Sequence, residues 1–101
     1  MFIRRNTYKL RLGHTYPEAL ELLDQMPPSV PTMVPARVFG GCTFSRILSL
    51  VILEYEVEEE NDLASTWAEW HADPDARAWM TKWFGCCEHQ SMRQDFLRRL
   101  R

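Results

Sequence analysis

The stretch from Ile47 to Val57 constrains this chain most. Its first half is apolar on both sides of an alternating pattern: Ile47, Val51 and Leu53 fall on one face, Leu48, Leu50 and Ile52 on the other. A strand written this way is central to a sheet and covered on both faces. Towards its end Glu54 and Glu56 alternate with Tyr55 and Val57, so one face there opens to water. A chain of 101 residues suits one domain, 1–101, with a modest core. Its helices can cover one side of the strand. The other side calls for a second copy of the chain.

The flanking elements follow from periodicity. Residues Asn6 to Leu12 read as a first strand, with Tyr8, Leu10 and Leu12 on one face and Thr7, Lys9 and Arg11 on the other, and Gly13-His14 ends it. Thr15 and Glu18 have capping-box spacing, and Pro17 suits the first turn of a helix. Tyr16, Ala19, Leu20, Leu23 and Met26 form its apolar stripe. Pro27-Pro28 stops that helix, and the stretch to Pro35, with four prolines, reads as a stiff surface connection. Val38, Cys42 and Phe44 share one face of a second strand, and Gly40-Gly41 marks a bulge or a close backbone approach. After the long strand, Asn61 or Asp62 caps a helix with Leu63, Trp67 and Trp70 on one side. Asp73-Pro74 restarts it, with Ala76, Trp79, Met80, Trp83 and Phe84 on the apolar face and Gly85 as the stop. Met92, Phe96 and Leu100 alternate in a last strand. The order is β-α-β-β-α-β: α+β, with two helices on one face of a four-stranded antiparallel sheet.

Charge excludes some function classes. Apolar residues are 46% of the chain, charged residues 26%, and the net charge is −2, without the basic footprint of a nucleic-acid binder. The third strand, aliphatic and then acidic, also argues against an RNA-binding βαββαβ surface. Glu54, Glu56, Glu58, Glu59, Glu60 and Asp62 make an acidic patch; Arg93, Arg98, Arg99 and Arg101 make a basic C-terminal stretch. These are two solvated regions or an intersubunit salt link. Cys42, Cys86 and Cys87 are odd in number and two are adjacent, which points to a reducing, cytoplasmic setting rather than a disulfide framework. No apolar run suits a signal peptide or a membrane span.

The motifs Tyr8-Lys9-Leu10-Arg11-Leu12-Gly13 into Tyr16-Pro17-Glu18-Ala19-Leu20, Leu50-Val51-Ile52-Leu53-Glu54-Tyr55-Glu56, and Trp67-Ala68-Glu69-Trp70-His71-Ala72-Asp73-Pro74 give the chain a resemblance to the dimeric α/β-barrel (ferredoxin-like) superfamily. Within it the chain is similar to NIPSNAP-like proteins. The resemblance implies a homodimer paired through its sheet faces as a barrel, and a pocket between sheet and helices. Members include cofactor-independent monooxygenases and heme-degrading enzymes. The latter use an Asn on the first strand with a Trp and a His on the second helix. Asn6 and Trp67 match that pattern, but His71 follows Trp67 by only four residues, which departs from the family's spacing.

Candidate sites follow. His71 is the acid/base candidate, because imidazole titrates near neutral pH, and Asn6 is its polar anchor. Tyr8, Trp67 and Trp70 are candidate ligand-lining residues, with core packing as the competing role for the tryptophans. Arg5, Arg37, Arg46 and Arg93 can each offer a cation to an anionic ligand, and Arg37 and Arg93 stand on strands. Cys86, Cys87 and His89 lack the paired spacing of a zinc site, so no metal is expected, and no other cofactor. Cys42 reads as a core residue, with a Cys–His pair to His71 or His14 as the alternative. The expected function is a small apolar or aromatic ligand pocket in a homodimer, as a cofactor-independent monooxygenase or isomerase; the alternative is a non-catalytic ligand-binding or protein-interaction dimer. Whether it is an enzyme stays open.

Overall fold

The computed structural model describes residues 1–43, 46–58 and 62–101, without the side chains at 42, 43, 46–48, 62–64 and 91. Phe44, Glu59, Glu60 and Asn61, and the side chains of Cys42, Arg46, Ile47, Leu48, Asp62 and Leu63, therefore lie outside the described residues. The elements are β1 (Phe2–Leu10), α1 (Tyr16–Asp24), β2 (Arg37–Thr43), β3 (Arg46–Val57), α2 (Asp62–Ala72), α3 (Pro74–Cys86) and β4 (Cys87–Arg98). The strands form one antiparallel sheet in the order β2-β3-β1-β4. This is the expected ferredoxin-like α+β arrangement, with the second helix broken at Asp73-Pro74.

Local chemistry explains the helix starts. Thr15 Oγ1 accepts from the Glu18 amide, and Asp73 Oδ1 accepts from the Ala76 amide at 2.9 Å, with Pro74 in the first turn. Glu18's carboxylate does not return a capping bond. It pairs with His14 Nδ1 at 2.8 Å.

The covered face of the sheet carries the core. Tyr8 and Leu10 of β1 and Val51, Leu53 and Tyr55 of β3 are buried there against Ala76, Trp79, Met80 and Trp83 of α3 and Trp70 of α2. Tyr8 meets Trp83 edge-on at 5.5 Å, and Trp79 stacks on Trp83 at 5.3 Å. Gly40 is a close approach as well as part of an irregular strand. A Cβ there would sit 3.1 Å from the Tyr16 ring, and the β2–β3 register shifts after Gly41.

Several expectations are corrected. β1 starts at Phe2 and ends at Leu10, so Leu12 is fully exposed instead of continuing the apolar face. In α1, Tyr16 and Leu20 are exposed, while Ala19 is buried and Leu22 and Leu23 pack on the core. The proline-rich connection is not all surface. A 3₁₀ turn at Pro31–Met33 seats Val30 and Met33 in the core, each 1% exposed, because prolines stiffen the chain without preventing side chains three apart from pointing inward. Gly85 does not stop α3. The helix runs to Cys86 and passes straight into β4 at Cys87, and Gly13, at φ 86°, is the positive-φ glycine. Leu100 lies beyond β4 and is exposed.

Candidate functional site

Alternation along β1 places Arg4, Asn6, Tyr8 and Leu10 together on the covered face. Arg4 is paired in register with Tyr55 and Phe96, Asn6 with Leu53 and Gln94. The Arg4 side chain is only 3% exposed. Its guanidinium carbon lies 4.4 Å from the Tyr55 ring centre and 5.2 Å from that of Trp70. Tyr55 and Trp70 are themselves 6.1 Å apart, and Trp70 Nε1 donates to Thr32 Oγ1 at 2.9 Å, which ties α2 to the 3₁₀ turn. Next to this stack lies a cleft of about 520 Å³ between residues 31–36, the end of β3 and α2. Arg4, Tyr55, Thr32, Val34, Val57 and Thr66 line it, together with Glu58 and Glu69; Glu56 borders it, but its carboxylate is turned to Arg37 on the open face.

Burial sets the electrostatics. It pulls the Arg4 guanidinium below its ordinary range, opposed by the nearby tyrosines, and pushes the Tyr55 phenol well up. Tyr8, sealed under Trp83, is pushed up to about 12. Both phenols stay neutral at physiological pH and act here as aromatic surface.

The proposed site residues fall into three places. Trp67, Trp70 and His71 adjoin on α2: the His71 ring meets Trp67 at 4.5 Å, and Trp67 lies 6.2 Å from Trp70. Trp70 is buried, Trp67 is 42% exposed and His71 is exposed. Asn6 and Tyr8 are buried under the helices, where Asn6 Oδ1 accepts from Gln94 Nε2 at 3.1 Å and Tyr8 packs on Trp83. Arg37 and Arg93 stand on the opposite face of the sheet, on its two edge strands. Arg37 binds Glu54 at 3.0 Å and Glu56 at 3.1 Å; Arg93 pairs with Asp95 at 3.1 Å and is otherwise solvated. These arginines are held by carboxylates of their own sheet, so neither faces the cleft as a free cation.

Arg4 is the residue that sequence reasoning missed. The signal was present: it is in phase with Asn6, Tyr8 and Leu10. Starting the strand at Asn6 cut it off.

A second cluster gathers His14, Glu18 and Cys86, whose ligating atoms lie within 4.8 Å of one another. Its donor set suits a divalent metal of zinc type. Burial and the Glu18 charge push the Cys86 thiol up, so ligation there requires a proton to be displaced. Cys86 and Cys87 are free thiols, and Cys87, fully buried, is pushed up to about 12. The sequence alone grouped Cys86 with Cys87 and His89; only the fold brings it to α1.

No protein-family model matches the chain, and no curated protein matches it. Solved structures do. A NIPSNAP family protein of unknown function from Agrobacterium tumefaciens superposes with a TM-score of 0.74 over 100% of this chain and 89% of its own, at 17% identity. This is the fold of the NIPSNAP proteins. An uncharacterised NIPSNAP domain protein from Burkholderia xenovorans matches at a TM-score of 0.70 and 21% identity, covering 98% of this chain and 94% of its own. A second Agrobacterium NIPSNAP family protein matches at 0.71 and 18%, covering 97% and 84%. At these identities the likeness is one of NIPSNAP fold and carries no activity with it. No described helix is long and apolar enough to cross a membrane.

Proposed function

We propose that this chain is a homodimeric small-ligand-binding protein of the cytoplasm, a single domain over 1–101, whose ligand enters the cleft beside Arg4 and Tyr55. The cleft carries the reading: about 520 Å³, within the size of small-molecule sites, lined by apolar and aromatic side chains (Pro31, Val34, Ala36, Tyr55, Val57) and, in comparable measure, by polar and charged ones. Binding is favoured over catalysis. Among the described lining residues there is no His or Cys, the imidazole or thiolate such chemistry most often uses, and the acid/base groups there are the exposed carboxylates Glu58 and Glu69. The Trp67–His71 contact supports catalysis as a second reading, with His71 swinging to the cleft from the flank of α2.

Dimer formation is supported by the uncovered sheet face. There Phe39, 46% exposed, lies in register with Ile52 and Thr7, next to Leu50. A second copy is the natural cover for such a surface.

Amide chemical-shift mapping with a panel of aromatic acids, indoles and quinones tests the pocket. Shifts are expected at Ala36, Tyr55 and Thr66, and to disappear in Val34→Trp, which fills the cleft. Shifts elsewhere, or none with any compound, overturn the reading.

A further inference from the structure

We propose that Arg4 is the anchor for a small monoanionic carboxylate with a planar apolar body, so that the ligand of the proposed cleft is an organic acid of single charge; this rests on the ligand-cleft reading. A guanidinium carries five N–H donors and stays charged. Taken out of water it needs carboxylates or acceptors around it. Arg4 is 3% exposed, yet among the described residues no ion pair includes it, and its Nε has no hydrogen-bond partner. Tyr55 and Trp70 stabilise its positive charge through their ring faces, but a ring face does not satisfy a fork of in-plane donors. The contrast with the next residue is direct. Arg5 has Glu54 at 2.6 Å. The sheet therefore supplies a counter-ion to one arginine and not to its neighbour.

The same walls define the missing partner. The planar fork of an arginine matches a carboxylate with two parallel bonds. Tyr55, Val34 and Val57 offer surface to a flat apolar body. Glu58 and Glu69 flank the cleft with negative charge, whereas the Glu56 carboxylate is taken up by Arg37 on the open face. One cation beside two carboxylates accepts a single negative charge and repels a second. Phosphate esters and dicarboxylates are excluded on that balance.

Titrating benzoate, benzamide and phthalate into the full chain, followed by amide shifts and tryptophan fluorescence, tests this. Benzoate is expected to bind about tenfold or more tightly than isosteric benzamide, the equivalent of one charge-assisted interaction, with phthalate weaker than benzoate. Arg4→Met should abolish the preference for benzoate over benzamide; Arg4→Lys should keep part of the preference. Equal binding of benzoate and benzamide by the wild-type chain overturns the anion anchor and leaves the cleft standing. Phthalate binding tighter than benzoate overturns the single-charge assignment. No binding of any of the three overturns this inference, and the cleft itself falls only if the wider panel also fails. The wild-type comparison decides the matter even if Arg4→Met does not fold.

Discussion

Among the described residues two charged side chains are buried in the same sheet, one on each face, and they are treated in opposite ways. Glu54, on the open face, is held between Arg5 and Arg37 at 2.6 and 3.0 Å, which keeps its carboxyl below the ordinary glutamate range. Arg4, on the covered face one residue from Arg5, has two aromatic rings and, among the described residues, no carboxylate. The first arrangement is complete. Its charges sit in a row across β2, β3 and β1, and nothing remains to be bound. The second is incomplete, and it adjoins a cleft. Burial alone does not mark a functional charge; burial without a partner does.

Substitutions can break or sharpen that contrast. The largest stability effect belongs to the covered face: Trp83→Ala, removing the ring that packs on Tyr8 and Trp79, should lower unfolding free energy by about 3–5 kcal/mol in urea denaturation. On the open face, Phe39→Arg should leave the fold intact and convert a dimer to the 12.0 kDa monomer in light scattering. A wild-type chain already monomeric would show that this face faces water. Glu54→Gln should cost about 1 kcal/mol at neutral pH, a value reduced because both arginines are partly solvated. The sign with pH follows from the depressed carboxyl. Its stabilisation is present above the unfolded-state value and is lost as pH falls through the folded one, so wild type and variant should converge in acid denaturation. The smallest effect is expected for Arg4→Met: a change within about 1 kcal/mol, in the stabilising direction, since an unpaired buried charge gives way to an apolar side chain of similar length. A cost larger than that of Glu54→Gln would make Arg4 a structural residue like its neighbour.

The strands and helices were legible because their periodicities are local. Alternation in β1 and β3, the Asp73-Pro74 restart and the Trp79–Trp83 stripe each report a face within one element. The candidate site was less legible. Trp67, Trp70 and His71 could be grouped because they share a helix, whereas Arg4, Tyr55 and Thr32 come from three separate segments. Arg37 and Arg93 stood on strands as expected, but a strand position does not reveal which face its side chain shares with a carboxylate. Cys86 was grouped with its sequence neighbours, while the fold sets it beside His14 and Glu18.

The sequence by itself determined the βαββαβ order and the apolar character of Ile47 to Leu53, because hydrophobic spacing and caps act over a few residues. Tertiary structure alone decided which buried charge is paired. Register sets Arg5 opposite Glu54 and Arg4 opposite Tyr55, and a pairing shift of one residue would exchange the two faces. An ion pair depends on that register and on a distance of a few ångströms, neither of which is written in composition or spacing.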